Sequence, residues 1–176
     1  GEGVQVGDPV AQEMMSDFLR EARDRGLYRF ITDNGAGGLS SSMGEMAEEA
    51  GGCHLELAHA PLKYAGLQPW EILLSEAQER MSLAVPPERM DEFFELARRR
   101  DVEATDLGTF NDSGTFHVTY DGDTVCHLDL EFMHNGLPQL ELTATWAPPT
   151  PPEPDLPPRV DLHRALRDLL ARLNVA

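Results

Sequence analysis

No stretch of this chain approaches the roughly 18 consecutive apolar residues that a membrane-spanning helix needs. No basic, then apolar, then cleavable pattern opens it, as a secretory leader would. Cysteine is scarce: Cys53 and Cys126 lie far apart with no Cys-x-x-Cys spacing, which argues against a disulfide framework and a cysteine-rich zinc site. Both thiols fall in strand-like surroundings and read as small buried hydrophobes in a reducing, cytoplasmic setting. Positive charge is short, with 14 Lys and Arg against 31 Asp and Glu, a formal net charge of −17. A surface this acidic repels nucleic acid and anionic membranes alike. A divalent cation reverses the sign locally, so phosphorylated small molecules remain within reach. The six histidines have no His-x-x-x-His spacing and do not cluster along the chain, so no catalytic histidine and no zinc are assigned. A dinucleotide fingerprint is missing too: counted from Gly35, the third glycine of Gly-x-Gly-x-x-Gly is Ser40, and the carboxylate precedes the glycines.

The 176 residues, 41% of them hydrophobic, suffice for one folded domain with a flanking segment. Asp8 and Pro9 suit a helix N-cap and first turn, and Val10, Met14, Phe18 and Ala22 share one helical face until Gly26. A strand is expected over Leu27–Thr32. The next helix carries Leu39, Met43, Met46, Ala47 and Ala50 and stops at Gly51-Gly52. Cys53–Leu57 reads as a strand, Pro69–Leu74 as a short helix and Arg80–Val85 as a strand. Pro86-Pro87 opens a helix burying Met90, Phe93, Phe94 and Ala97. Strands follow over Val102–Phe110, Thr115–Tyr120 and Thr124–Leu130, joined by turns at Asn111–Gly114 and Asp121-Gly122. The pattern predicts an α+β (α/β-like) fold, a single mixed β-sheet packed with helices.

Seven of the 13 prolines fall between Pro148 and Pro158, where they favour an extended spacer. Beyond them Val160, Leu162, Ala165, Leu166, Leu169 and Leu170 form one apolar helical face. The expected organisation is a domain over residues 1–146, a linker over 147–159 and an amphipathic helix over 160–176. A helix ending such a spacer suggests a chain that continues.

Chemistry concentrates in Ile31–Ser40. A strand ends in Asp33, Gly35, Gly37 and Gly38 follow, and a helix begins at Leu39. Glycines let backbone N–H groups approach an anion, and the helix start adds partial positive charge. Asp33 therefore reads either as a Mg²⁺ ligand beside a phosphate or as a cap for the following helix. Ser75–Arg80 offers carboxylate, amide and guanidinium groups between two apolar segments, either for one polar ligand or as a solvated loop. Gln5 precedes the first helix and has an amide to offer.

Four segments, Val4–Pro9, Asp33–Leu39, Pro69–Met81 and Asn111–Gly114, occur in an order that closely resembles the phosphoribosylformylglycinamidine synthase family. More narrowly they resemble the C-terminal-type domain of the first of two internally repeated halves of its synthetase subunit, within the aminoimidazole ribonucleotide synthetase-related superfamily. The Leu73-Leu74-Ser75-Glu76-Ala77-Gln78-Glu79-Arg80-Met81 run makes the likeness specific, and Asn174-Val175-Ala176 resembles the opening of a second half. The resemblance implies a domain of an ATP-dependent ligase of purine biosynthesis. That enzyme converts formylglycinamide ribonucleotide to its amidine with glutamine-derived ammonia, by phosphorylating the amide oxygen. By the same resemblance Asp33 would hold Mg²⁺, while Gln5, Glu76, Ala77 and Gln78 would contact the substrate. Ala77 stands where the family often has serine, so only a backbone contact is carried over there. ATP would be bound mainly by N-terminal-type domains, and the glutaminase would be a further domain or subunit. This stretch alone is expected to fold and not to catalyse. The alternatives are a non-catalytic scaffold domain of the same enzyme, or a domain of aminoimidazole ribonucleotide or selenophosphate synthetase.

Overall fold

The computed structural model describes residues 8–62, 65–155 and 161–172, and the chain divides into two units, residues 1–138 and 139–176. The first unit begins with helix α1 (Pro9–Asp24). The Asp8 carboxylate caps it, accepting from the N–H groups of Val10 at 2.9 Å and Ala11 at 3.2 Å. Gly26, at φ +64°, ends it, and the Leu27 N–H donates back to the Ala22 carbonyl at 2.9 Å. That bond ties Leu27 to the helix end, so β1 covers Phe30–Asp33 rather than starting at Leu27, which is fully buried instead.

Helix α2 (Gly38–Ala50) buries Leu39, Met43, Met46 and Ala47 and leaves Ala50 exposed. Strand β2 (Cys53–Glu56) follows, then α3 (Pro69–Leu74), closed by a capping box between Gln68 and Glu71. Strand β3 spans Met81–Ala84. Helix α4 (Met90–Arg99) buries Phe93, Leu96 and Ala97. The Val102 N–H closes α4 by donating to Ala97, and β4 is reduced to Gly108–Phe110. The hairpin of β5 (Thr115–Tyr120) and β6 (Asp123–Asp129) turns through Asp121 at φ +50° and Gly122 at φ +84°, as a two-residue hairpin requires. Helix α5 (Leu130–Asn135) takes over where the sequence pattern predicts more strand. The Asp129 side chain caps it, accepting from the Phe132 N–H at 3.0 Å.

The α+β class holds, with the strands of the described residues shared between two sheets. Strands β1 and β3 pair antiparallel on their own, while the other sheet has the order β4-β2-β5-β6 and is mixed because β2 and β5 run parallel. Two hydrophobic cores account for the division. Phe18, Ala22 and Leu27 pack on Phe93, Leu96 and Ala97, with the Phe18 and Phe93 rings edge-on at 5.1 Å. Leu39, Met43, Met46 and Ala47 of α2 pack on Cys53, Leu55, Phe116 and Val118. Strand β3 serves both, Leu83 packing against the first cluster and Ala84 against the second. Each fully buried leucine contributes about 1.5–3 kcal/mol to these cores.

In the second unit, α6 (Leu162–Leu170) is capped by Asp161, which accepts from the Arg164 N–H at 2.9 Å. Leu162, Leu166, Leu169 and Leu170 are exposed along it, and Val160 lies outside the described residues. Among the described residues no helix is long and apolar enough to cross a membrane.

Candidate functional site

Asp33 is the last residue of β1, opposite Met81 of β3, with its side chain exposed. One carboxylate oxygen, Oδ1, accepts the Gly35 N–H at 2.8 Å, an Asx turn that orients the exposed carboxylate. The helix-cap alternative does not hold. The N-cap of α2 is Gly37, at φ +84°, with no side-chain cap.

The three glycines have unequal parts. The Gly35 N–H is taken by Asp33, and the Gly38 N–H donates to the Gly35 carbonyl at 2.9 Å. The Gly37 N–H points at Oε1 of Glu76, 3.4 Å away. Gly38, at φ +56°, lies so close to the loop after α3 that an added Cβ would strike the Ser75 carbonyl oxygen and stand 2.9 Å from its carbon. Because residue 38 has no side chain, the turn seats on Ser75–Glu76, and Asp33 and Glu76 flank one glycine turn.

Glu76 and Gln78 are exposed and Ala77 is half-buried between them. Glu79 follows at φ +53°, uncommon for a residue other than glycine, and turns the chain into β3. Arg80 faces inward. Its Nη2 donates to the Pro61 carbonyl at 2.7 Å, and burial pulls the guanidinium below its ordinary value. Gln78, Arg80, Asn34 and Ser82 line a cleft of about 1140 Å³, together with apolar side chains such as Met14 and Phe94. The structure thus brings Asp33, the glycine turn and Glu76 to one edge, whereas Gln78 lines the cleft, whose lining includes neither Asp33 nor Glu76. Gln5 lies outside the described residues. No group of three or more His, Cys, Asp or Glu among the described residues is arranged to hold a metal ion.

Two features escaped the sequence. The Glu56 carboxylate accepts from the N–H groups of Ala58, Asp121 and Gly122 and from the Thr119 hydroxyl, all between 2.9 and 3.1 Å. These donors, Ala58 foremost, hold it below the usual carboxylate value and tie the end of β2 to the β5–β6 turn. The histidines do cluster in space. His54, His117 and His127 occupy one register row across β2, β5 and β6, with ring centroids 4.6 and 4.9 Å apart. Each stands between two residues of the opposite, apolar face, such as Cys53 and Leu55, so the alternation was legible. The register was not.

The family model described as AIR synthase related protein, C-terminal domain, matches residues 1–121. The phosphoribosylformylglycinamidine synthase subunit PurL of Methanopyrus kandleri is 37% identical over 98% of this chain, which spans 24% of that relative. The PurL subunit of Mycolicibacterium vanbaalenii is 42% identical over 69% of the chain and is itself covered over 16% of its length. Among solved structures, Thermotoga maritima PurL complexed with FGAR aligns with 84% of this chain and 24% of its own, at 29% identity and a TM-score of 0.72. The same protein complexed with AMPPCP aligns with 97% of this chain and 29% of its own, at 28% identity and a TM-score of 0.76. The chain therefore spans about a quarter of the PurL subunit of Methanopyrus kandleri, at 24%.

Proposed function

The chain belongs to the AIR synthase related C-terminal domain family, and on that premise we propose that it serves a phosphoribosylformylglycinamidine synthase. In that role it is a domain of an ATP-dependent ligase that turns formylglycinamide ribonucleotide into its amidine with ammonia from glutamine. The observation that carries this reading is the seating of the Gly37–Gly38 turn on Ser75–Glu76, which puts Asp33 beside the segment that would receive the substrate.

The donor set suits Mg²⁺. That ion takes one or two carboxylates and completes its shell with water and phosphate oxygens. Asp33 offers an exposed carboxylate, and no all-protein cage stands nearby among the described residues. Asp33 would hold the metal, with Glu76 a second carboxylate across the turn. When bound, the ion supplies charge neutralisation for a transferring phosphoryl group.

This chain's own residues bind and orient. Glu76 and Gln78, joined by Gln5, hydrogen-bond the formylglycinamide part of the substrate, and Ala77 contributes through its backbone. Fixing the amide in this way presents its oxygen to the nucleotide, and positioning supplies much of the rate in such transfers. ATP is bound mainly by N-terminal-type domains, and a glutaminase delivers the ammonia. The setting is the cytoplasm, and this stretch alone does not turn over.

The test is Asp33→Asn in the full-length enzyme. Turnover should fall by about 100-fold or more, the scale for removing one preorganised electrostatic group. The melting temperature should stay within about 2 °C, because an exposed carboxylate contributes little to stability. Normal turnover would leave this domain as a scaffold.

A further inference from the structure

The residue beside Asp33 points the opposite way. Asn34 is 2% exposed, and Ser42 and Ser82, at 1% and 4%, are buried with it. Its Oδ1 accepts from the Ser82 hydroxyl at 2.9 Å and from the Ser42 hydroxyl, and the two hydroxyls lie 3.1 Å from each other. Its backbone N–H donates to the Arg80 carbonyl at 3.2 Å, extending the β1–β3 ladder by one step. One side chain therefore joins the elements that carry the site. These are the end of β1, which presents Asp33, helix α2, which begins at the glycine turn, and β3, which emerges from Glu76–Gln78.

The carboxamide is an expensive choice for that place. Its Nδ2 is buried without a partner among the described residues. Reversing the amide only moves the deficit to the oxygen, since Nδ2 would then face the two hydroxyls. An unmatched buried polar atom opposes folding, and such atoms in native structures call for a reason other than stability. The two serines could pair with each other and leave an apolar residue between them. What the carboxamide adds is an acceptor that draws α2 and β3 onto the same atom, one residue from the carboxylate.

We propose that Asn34 is a positioning residue for the metal-binding carboxylate, setting the place of Asp33 relative to Glu76–Gln78 through the Asn34–Ser42–Ser82 cluster. The inference rests on the reading of Asp33 as the Mg²⁺ ligand. In this proposal Asn34 acts through the geometry of its neighbour, its carboxamide oxygen being taken up by Ser42 and Ser82.

The test measures the Mg²⁺ dependence of turnover in the full-length enzyme at saturating ATP and substrate. Asn34→Ala should raise the half-saturating Mg²⁺ concentration about 10-fold while turnover at saturating Mg²⁺ falls less than about 3-fold. The melting temperature should change little, because the substitution removes the unmatched donor along with the two hydrogen bonds. Ser82→Ala should shift half-saturation in the same direction by about 3-fold, and it decides the matter if Asn34→Ala does not fold. A folded variant whose half-saturation stays within about 2-fold of the parent overturns the proposal. A fall in melting temperature with an unchanged Mg²⁺ dependence does so as well, marking the cluster as merely structural. Asp33→Asn runs alongside. If it leaves the Mg²⁺ dependence intact, the metal reading itself fails. If it disturbs that dependence and Asn34→Ala does not, only the positioning role fails. In the double variant, Asn34→Ala should add no further shift.

Discussion

Gly38→Ala tests the contact on which the site depends. Residue 38 sits at φ +56°, and the new Cβ would strike the Ser75 carbonyl oxygen, with the Ser75 carbon at 2.9 Å and the Leu74 carbonyl carbon at 3.0 Å. Two costs add. A left-handed conformation costs an L-residue about 1–2 kcal/mol, and forcing an atom into a packed backbone costs about 1–3 kcal/mol. The total is about 2–5 kcal/mol, a large share of the roughly 5–15 kcal/mol that holds a domain folded. Gly26→Ala separates the two terms, because Gly26 has a similar φ of +64° and nothing within 4 Å of the added atom. It should cost only the first, about 1–2 kcal/mol. Urea unfolding followed by circular dichroism measures both variants. With a slope of about 1–3 kcal/mol per molar urea, the difference between them amounts to a midpoint shift on the order of 1 M. Equal losses in the two variants would refute the reasoning. The turn would then not be seated on Ser75, and the close approach at residue 38 would not be what sets Asp33 beside Glu76.

The cysteines should differ in reactivity. Burial pushes the Cys53 thiol up to about 11 and raises the half-buried Cys126 as well, so a thiol reagent at pH 8 should label Cys126 first and Cys53 only on unfolding. Simultaneous labelling of both in the native protein would contradict the placement of Cys53 in the core. Stability should also depend on the histidine row. Burial, and then the neighbouring His54 and His127, hold His117 below its ordinary 6.5. The unfolded chain therefore takes up a proton that the folded chain refuses, and stability falls as the pH drops from 6.5 toward the depressed folded value. Above that range this group contributes no dependence. His117→Gln should flatten the slope of urea midpoint against pH between about 7.5 and 5.5, and an unchanged slope would remove His117 from the cause.

Much of the fold was legible because its signals are local. Asp8-Pro9 capped α1, Gly26 and Gly51 stopped helices, and Asp121-Gly122 turned a hairpin, each through contacts within a few residues. The same locality explains the misplaced boundaries. The Leu27 N–H is claimed by α1 and the Val102 N–H by α4, and an apolar run alone does not show that a donor is already committed. Leu130 looked like the last residue of a strand, and its N–H does donate to the Gly114 carbonyl across the hairpin, but the Asp129 cap on the Phe132 N–H starts α5 at the same residue.

The site divides along the same line. A carboxylate at a strand end, a glycine turn and a helix start lie within ten residues, and their backbone chemistry follows from the residues themselves. The outward face of each histidine likewise follows from the apolar residues on either side of it. Partners far apart in the chain are another matter. Glu76 meets Gly37 across 39 positions, and Asn34 finds Ser82 across 48. Those meetings depend on how two cores press β1, β3 and α2 together, which is the sum of many weak contacts with no local mark. Residue identity supplied the chemical groups of this protein, and packing chose which of them came to share an edge.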